Sequence, residues 1–262
     1  MKTKFIGCAL SLSALMLAGS SAFAQKQYPA PEQMKAGMSE FWTPQPKIVT
    51  PGKIQKDGMT TAPSDAIVLF DGKNLDSWCK SDGSAAGWIV KDGVITVDKK
   101  TGDIKTKQDF ENFQLHIEWK VPENIHGEGQ SRGNSGVFLQ GMYEIQVLDC
   151  YNNETYANGQ TGSVYKQTAP LANAMRKPGE WNVYDIIYQA PVFKEDGTYR
   201  VPPTVTLIQN GILLLNNFAI RGTTEYIGFP RVVKHGAGPI ILQSHGDPSE
   251  PISFRNIWIR EL

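Results

Sequence analysis

The densest run of chemistry-bearing side chains is Arg132-Gly-Asn134-Ser-Gly-Val-Phe-Leu-Gln-Gly-Met-Tyr-Glu144-Ile-Gln146-Val-Leu-Asp149. Its pattern predicts two short strands joined at Gln140-Gly141. Side chains alternate across a strand, so Tyr143, Ile145 and Val147 share an apolar face while Glu144 and Gln146 share the other. On a regular strand Asp149 falls on the Tyr143 side. A one-residue bulge after Gln146 returns it to the Glu144 side. The same pattern also describes an ordinary solvated sheet face.

Two further stretches carry chemistry. On the segment 113–120, Gln114, His116 and Glu118 oppose Phe113, Leu115, Ile117 and Trp119. Near the C-terminus, Leu242-Gln243-Ser-His245-Gly-Asp247-Pro places a histidine at the end of an apolar strand, beside Gly and Pro. An imidazole there suits proton transfer, although a lone histidine is often just a satisfied core or surface group. Trp181, Tyr165 and Tyr151 offer flat faces on which sugar rings stack, and such residues also fill β-sandwich cores. An oligosaccharide or glycoside is one ligand that such faces suit. His126-Gly-Glu128 does not match zinc-ligand spacing, and Asn152-Asn153-Glu154 reads first as a turn. No cofactor is expected, and the pattern leaves a divalent cation open. There is no phosphate-binding loop, dinucleotide fingerprint or nucleophile elbow.

The elements that must position these groups are strands. Phe113 to Lys120 alternates apolar and polar over eight residues. Val137–Leu139, Tyr143–Val147, Trp181–Tyr188, Val205–Gln209, Ile212–Leu215, Ile240–Leu242 and Phe254–Ile259 read in the same way. Asp92-Gly93 and Asn210-Gly211 between apolar runs signal hairpins. No helical period of about 12 residues appears after the leader, and no repeat divides the β region. The expectation is an all-β, two-sheet antiparallel sandwich of 11 to 15 strands.

Composition narrows the function classes. The 262 residues carry 26 basic and 26 acidic side chains, so the basic footprint of nucleic-acid binding is missing. Residues 1–24 read as a secretory signal: Lys2 and Lys4, an apolar run from Ile6 to Ala18, and Ala22-Phe23-Ala24 as the cleavage site. A secreted, periplasmic protein is expected. No second apolar stretch approaches the ~20 residues of a membrane span. Residues 25–65 are expected to form a Pro-rich extended arm, with Trp42, Ile48 and Val49 as anchors, and 66–262 the sandwich. Cys79 and Cys150 could pair in an oxidising compartment or stay as separate buried thiols. Oligomeric state cannot be read from the pattern.

Taken together, several segments resemble the bacterial 3-keto-disaccharide hydrolase domain, a family related to concanavalin-type glucanases. They are Val68-Leu-Phe-Asp71-Gly-Lys-Asn74-Leu-Asp-Ser-Trp78, Phe113 to Trp119, Gly133-Asn-Ser-Gly136-Val-Phe-Leu, Tyr143 to Asp149, and Gly162-Ser-Val-Tyr165. Lys177-Pro-Gly-Glu-Trp181-Asn182, Ile241-Leu-Gln-Ser-His245-Gly and Phe254-Arg-Asn256-Ile-Trp-Ile complete the set. The resemblance implies a jelly roll with a concave sugar-binding face, acting on glycosides oxidised at C3. The glucanase catalytic strand, Glu-x-Asp-x-(x)-Glu, maps onto Glu144, Gln146 and Asp149. A neutral middle residue and a shortened last carboxylate speak against a retaining mechanism, which needs carboxyls about 5–5.5 Å apart. A 3-keto sugar offers elimination instead, with or without rehydration. On that reading Glu144 or His245 is the base and Asp149 the acid or water-positioner. Arg132, Asn134 and Gln146 would hold sugar oxygens, with Arg132 the enolate stabiliser, and Glu118, Tyr165, Trp181 and Gln243 would complete the binding surface. The rival reading is a noncatalytic carbohydrate-binding module of the same fold.

Overall fold

A computed structural model describes Lys56 and residues 58–262. The signal segment, and the arm up to residue 55 with its expected anchors, lie outside the described residues. Among the described residues are fifteen strands: β1 (Ile67–Phe70), β2 (Trp78–Cys79), β3 (Ile89–Lys91), β4 (Val94–Thr96), β5 (Ile104–Thr106), β6 (Phe113–Lys120), β7 (Ser135–Leu139), β8 (Tyr143–Val147), β9 (Trp181–Gln189), β10 (Val192–Phe193), β11 (Tyr199–Val201), β12 (Thr204–Gln209), β13 (Ile212–Ala219), β14 (Ile241–Leu242) and β15 (Ser253–Glu261). Two short 3-10 turns, Gly129–Ser131 and Ala157–Gly159, interrupt them. No helix among these residues is long and apolar enough to cross a membrane.

The larger sheet runs β13-β12-β9-β6-β15-β4-β3, with β1 paired to β15. The smaller runs β2-β5-β14-β7-β8, and β10-β11 is a separate ribbon. Pairings are antiparallel, and the result is a two-sheet jelly-roll sandwich. Period-2 patterning puts Phe113, Leu115, Ile117 and Trp119 of β6 and Tyr184, Ile186 and Tyr188 of β9 on the inner face of the larger sheet. Val137 and Leu139 of β7 and Tyr143, Ile145 and Val147 of β8 meet them from the smaller sheet. Core tyrosines carry their hydroxyls across the sandwich: Tyr184 Oη donates to Gln146 O (2.8 Å) and Tyr188 Oη to Gln140 Oε1 (2.8 Å).

The inward face of β8 being apolar, Glu144 and Gln146 must point outward. Their hairpin turns tightly at Gln140 (φ 51°) and Gly141 (φ 69°). Glutamine tolerates this strained conformation because its buried amide is held: Nε2 donates to Phe110 O (3.0 Å). Of the two alternatives for β8, the bulge after Gln146 is not formed. The β7–β8 register is regular to Ser135↔Val147, and the chain then leaves the sheet, with the Asp149 amide donating to Arg132 O (3.2 Å). Cys79 and Cys150 are separate buried thiols.

Candidate active site

A cleft of about 250 Å³ opens on the outer face of the smaller sheet. It is lined by Asn134, Phe138, Glu144, Gln146, Tyr165, Thr224, Tyr226, Gln243 and His245. It runs on into a groove of about 350 Å³ that adds Gln130, Ser131, Tyr156 and Lys166. Another cavity of similar size, beside Val68, Phe70 and Val94, is walled by more apolar groups and brings together no carboxyl and imidazole.

Glu144 sits against backbone. A Cβ on Gly136 would lie 2.6 Å from Glu144 Oε1, so glycine at 136 is what gives the carboxyl its place. Segment 161–165 pairs along the open edge of β8, with Gln146 N donating to Ser163 O (3.0 Å) and Tyr165 N to Glu144 O (3.1 Å). From the other side Thr224 Oγ1 accepts from Glu144 N at 2.9 Å. Enclosure leaves Glu144 5% exposed. Burial, with the nearby Asp103 carboxylate adding to it, pushes its pKa up to about 8.

His245 follows β14 and is the more open partner. Its Nδ1 lies 3.1 Å from Asp247 Oδ2, and its Nε2 lies 3.5 Å from Asn134 Nδ2, a donor. The Asp247 amide also approaches Nδ1, at 3.2 Å, which suits the opposite tautomer. A carboxylate acceptor outweighs one amide donor, and the Asn134 contact agrees, so Nδ1 carries the proton and Nε2 presents its lone pair to the cleft. Asp247 is itself anchored. Its Oδ2 takes Lys99 Nζ at 3.1 Å, and its Oδ1 accepts from Ser249 N at 3.0 Å and from Ser249 Oγ. Burial alone would raise its pKa, but hydrogen bonds from His245, Ser249 and Lys99 overcome this and hold it at about 2.

Of the residues expected at the site, the fold brings six to this cleft: Glu144, His245, Asn134, Gln146, Tyr165 and Gln243. Four lie elsewhere. Asp149 is fully buried beside Arg132, in an ion pair with Nε and Oδ2 2.7 Å apart. Neither residue lines the cleft, because the chain has left β8 before it reaches Asp149. Glu118 and Trp181 project from the outer face of the larger sheet. There Glu118 accepts from Arg255 Nε (2.6 Å) and Asn256 Nδ2 (2.8 Å), while the Arg255 guanidinium lies 4.3 Å from the Trp181 ring centre. Asp247, Gln130, Tyr156, Lys166 and Tyr226 were not anticipated. Only Asp247 left a local signal, two residues beyond His245. Among the described residues no three His, Cys, Asp or Glu side chains converge as metal ligands. His126 instead pairs with Glu250 at 2.7 Å, and Asn153 donates to Asp149 O at 2.6 Å.

A family model for the 3-keto-alpha-glucoside-1,2-lyase-like domain matches residues 65–260. A protein of Bacteroides thetaiotaomicron named 3-keto-disaccharide hydrolase is 26% identical over 237 residues, covering 75% of this chain and 78% of that one. A crystal structure of a candidate glycosyl hydrolase from Parabacteroides distasonis is 72% identical, with a TM-score of 0.85 over 90% of this chain and all of that chain. Another from the same species, 24% identical with a TM-score of 0.55 over 76% of this chain and 94% of that one, shares the fold. These likenesses place the protein among glycoside-hydrolase-like proteins, and with nearly all of its sandwich matched the chain belongs to the 3-keto-alpha-glucoside-1,2-lyase-like domain family.

Proposed function

We propose that the protein cleaves glycosides whose sugar is oxidised at C3, by elimination followed by addition of water. The observation that carries this reading is the cleft itself: a buried carboxyl, Glu144, and an imidazole set by Asp247 face one sugar-sized space. A C3 ketone acidifies the neighbouring C2 hydrogen. His245 Nε2 takes that proton, and the electrons of the C2–H bond form an enolate whose charge rests on the C3 oxygen. The enolate collapses to a C1=C2 double bond as the C1–O bond breaks. Water adds its hydroxyl at C1 while its other proton makes up the one taken by the departing alkoxide, the proton held by His245 returns to C2, and the net result is hydrolysis.

The walls suit a polyol. Gln243 Oε1 is buried with no hydrogen-bond partner among the described residues, and accepts from a sugar hydroxyl. Asn134 Nδ2, next to His245, is placed to donate to a sugar oxygen. Tyr156 and Tyr226 line the groove as stacking faces. The leader-like residues 1–24 support a periplasmic or secreted location. Incubating the protein with a 3-keto-disaccharide and with its unoxidised parent tests the reading. Release of both sugars from the oxidised substrate alone is expected. Binding of both compounds without turnover of either would leave a carbohydrate-binding module instead.

A further inference from the structure

The cleft floor carries a chain of hydrogen bonds whose direction fixes where one proton sits. Gln130 Nε2 donates to Thr155 Oγ1 (2.9 Å) and to Gly159 O (2.9 Å). Gln130 Oε1 is therefore an acceptor, met from the Asn134 side only by a long 3.5 Å contact from Nδ2. Its neighbour, 3.0 Å away, is one terminal atom of the Gln146 amide. Asn134 agrees, since its Nδ2 donates to Gln130 O (2.9 Å), leaving Oδ1 as an acceptor 3.4 Å from that same Gln146 atom. Which end of an amide is nitrogen follows from such neighbours. Both require Gln146 Nε2 on that side.

The other end of the amide is then oxygen, and it lies 3.1 Å from Glu144 Oε1. Two buried oxygens at that separation need a hydrogen between them, and an amide oxygen has none to give. The reverse arrangement, with Gln146 Nε2 donating to Glu144 Oε1 and to Ser135 O (3.0 Å), suits an ionised Glu144. It also turns the amide oxygen onto Gln130 Oε1 and towards Asn134 Oδ1. With a proton on Glu144 the first arrangement leaves one oxygen–oxygen conflict, at Ser135 O, whereas the second leaves two, at Gln130 Oε1 and Asn134 Oδ1, that no proton on Glu144 relieves. We infer that Glu144 rests as the protonated acid, its O–H donated to Gln146, and that Gln146 turns over to hold the carboxylate once the proton has left.

The surroundings agree from each side. Asp103, on the loop before β5, accepts from Ser244 N at 2.7 Å and adds a negative charge near Glu144. Besides Glu144, the titratable groups lining the cleft are Tyr165, Tyr226 and His245, and burial raises the pKa of Tyr165 further. Resting on the keto-glycoside reading, this divides the chemistry. His245 is the base, and Glu144 delivers its proton to the glycosidic oxygen as the C1–O bond breaks. The Glu144 O–H bond breaks and an O–H bond forms on the departing alcohol. The incoming water gives one proton back to Glu144 and its hydroxyl to C1. Gln146 is a positioning residue that accepts from the acid in one state and donates to its conjugate base in the other.

Infrared difference spectra of the substrate-free protein, recorded as pH is raised, test the resting state independently of any activity. A protonated-carboxyl band that disappears on titration is expected in the native protein and not in Glu144→Gln. Gln146→Leu removes the donor that steadies the carboxylate, and should move that titration to higher pH. A native spectrum at pH 6 matching that of Glu144→Gln in the protonated-carboxyl region would overturn the inference, whatever the substrate proves to be. The acid role has its own test. Glu144→Gln should lose roughly 10²- to 10⁴-fold on a 3-keto-disaccharide, and far less on a 3-keto nitrophenyl glycoside, whose leaving group needs no proton. Equal losses on both would make Glu144 the base.

Discussion

Gly136→Ala tests how tightly the carboxyl is held in place. Gly136 has no positive φ that would forbid a side chain, so the strand backbone accepts alanine. The obstacle is the neighbour. The added Cβ would stand 2.6 Å from Glu144 Oε1, 2.9 Å from its Cγ and 3.0 Å from its Cδ. To restore an ordinary contact of 3.4 Å the oxygen must withdraw by about 0.8 Å. The Gln146 amide already stands 3.1 Å from the same oxygen, which limits where it can go. A displacement of about 1 Å at a reacting group costs on the order of 10²-fold in rate. Overpacking of this kind costs about 1–3 kcal/mol of stability, or roughly 2–12 °C in Tm for a domain of this size. The expected outcome is a folded protein whose kcat/KM on a 3-keto-disaccharide falls about 10²-fold. The assays are steady-state kinetics on that substrate and a thermal melt of the same preparation. Wild-type kcat/KM in a variant shown to contain alanine would refute the placement of Glu144 at the reacting atoms.

Asp247→Asn removes the carboxylate that keeps the His245 proton on Nδ1. A loss of kcat on the order of 10²- to 10⁴-fold is expected, while far-ultraviolet circular dichroism stays native. Lys166 Nζ sits over the Tyr156 ring at 4.1 Å, with Tyr165 and Tyr226 within 6 Å, at the mouth of the groove. Lys166→Ala should raise KM about 2- to 5-fold, as loss of roughly 0.5–1 kcal/mol implies, with kcat unchanged; a fall in kcat alone would place Lys166 in the chemistry. Glu144 is a carboxyl whose pKa is raised on folding, so its contribution to stability is complete below the unfolded value near 4.5 and is lost as pH rises towards 8. Glu144→Gln should therefore melt higher than the native protein at pH 8–9, with the difference shrinking towards pH 5.

The strands were legible because burial on one face writes a period of two into the sequence. β6, β8, β9 and β12 all carry it, and the Asp92-Gly93 and Asn210-Gly211 turns between apolar runs close hairpins as expected. The outward direction of Glu144 and Gln146 follows from the same alternation. The fate of Asp149 does not, since it depends on where the chain leaves the sheet, and that is set by packing against Arg132 and Gly133. Tyr226 and Lys166 reach the cleft from segments that pair with nothing regular, so no periodicity could have pointed to them.

Glu118 and His116 show why residue type alone could not locate the site. They form an acid–imidazole pair on a strand with the same alternation as β8, and both are buried. Glu118 spends both oxygens on Arg255 and Asn256. His116 has Asp185 on Nδ1 at 2.7 Å, Asn256 on Nε2 at 3.3 Å and Trp258 stacked on its ring at 4.8 Å. Every polar atom of that pair has a partner within the protein, which makes it a brace holding β15 to β6 and β9. At the cleft the accounting differs. His245 Nε2 has one long contact and Gln243 Oε1 has none, while Glu144 Oε1 meets an amide that can face it either way. Unmet hydrogen-bonding capacity around a sugar-sized space, rather than the presence of acid and imidazole, is what separates the site from the brace. Filling it with an apolar group tests this: Gln243→Leu should weaken sugar binding by roughly 10-fold, the ~1.5 kcal/mol of one buried hydrogen bond. The protein should melt no lower, because no internal bond is lost. A drop in Tm with unchanged KM would make Gln243 a brace as well.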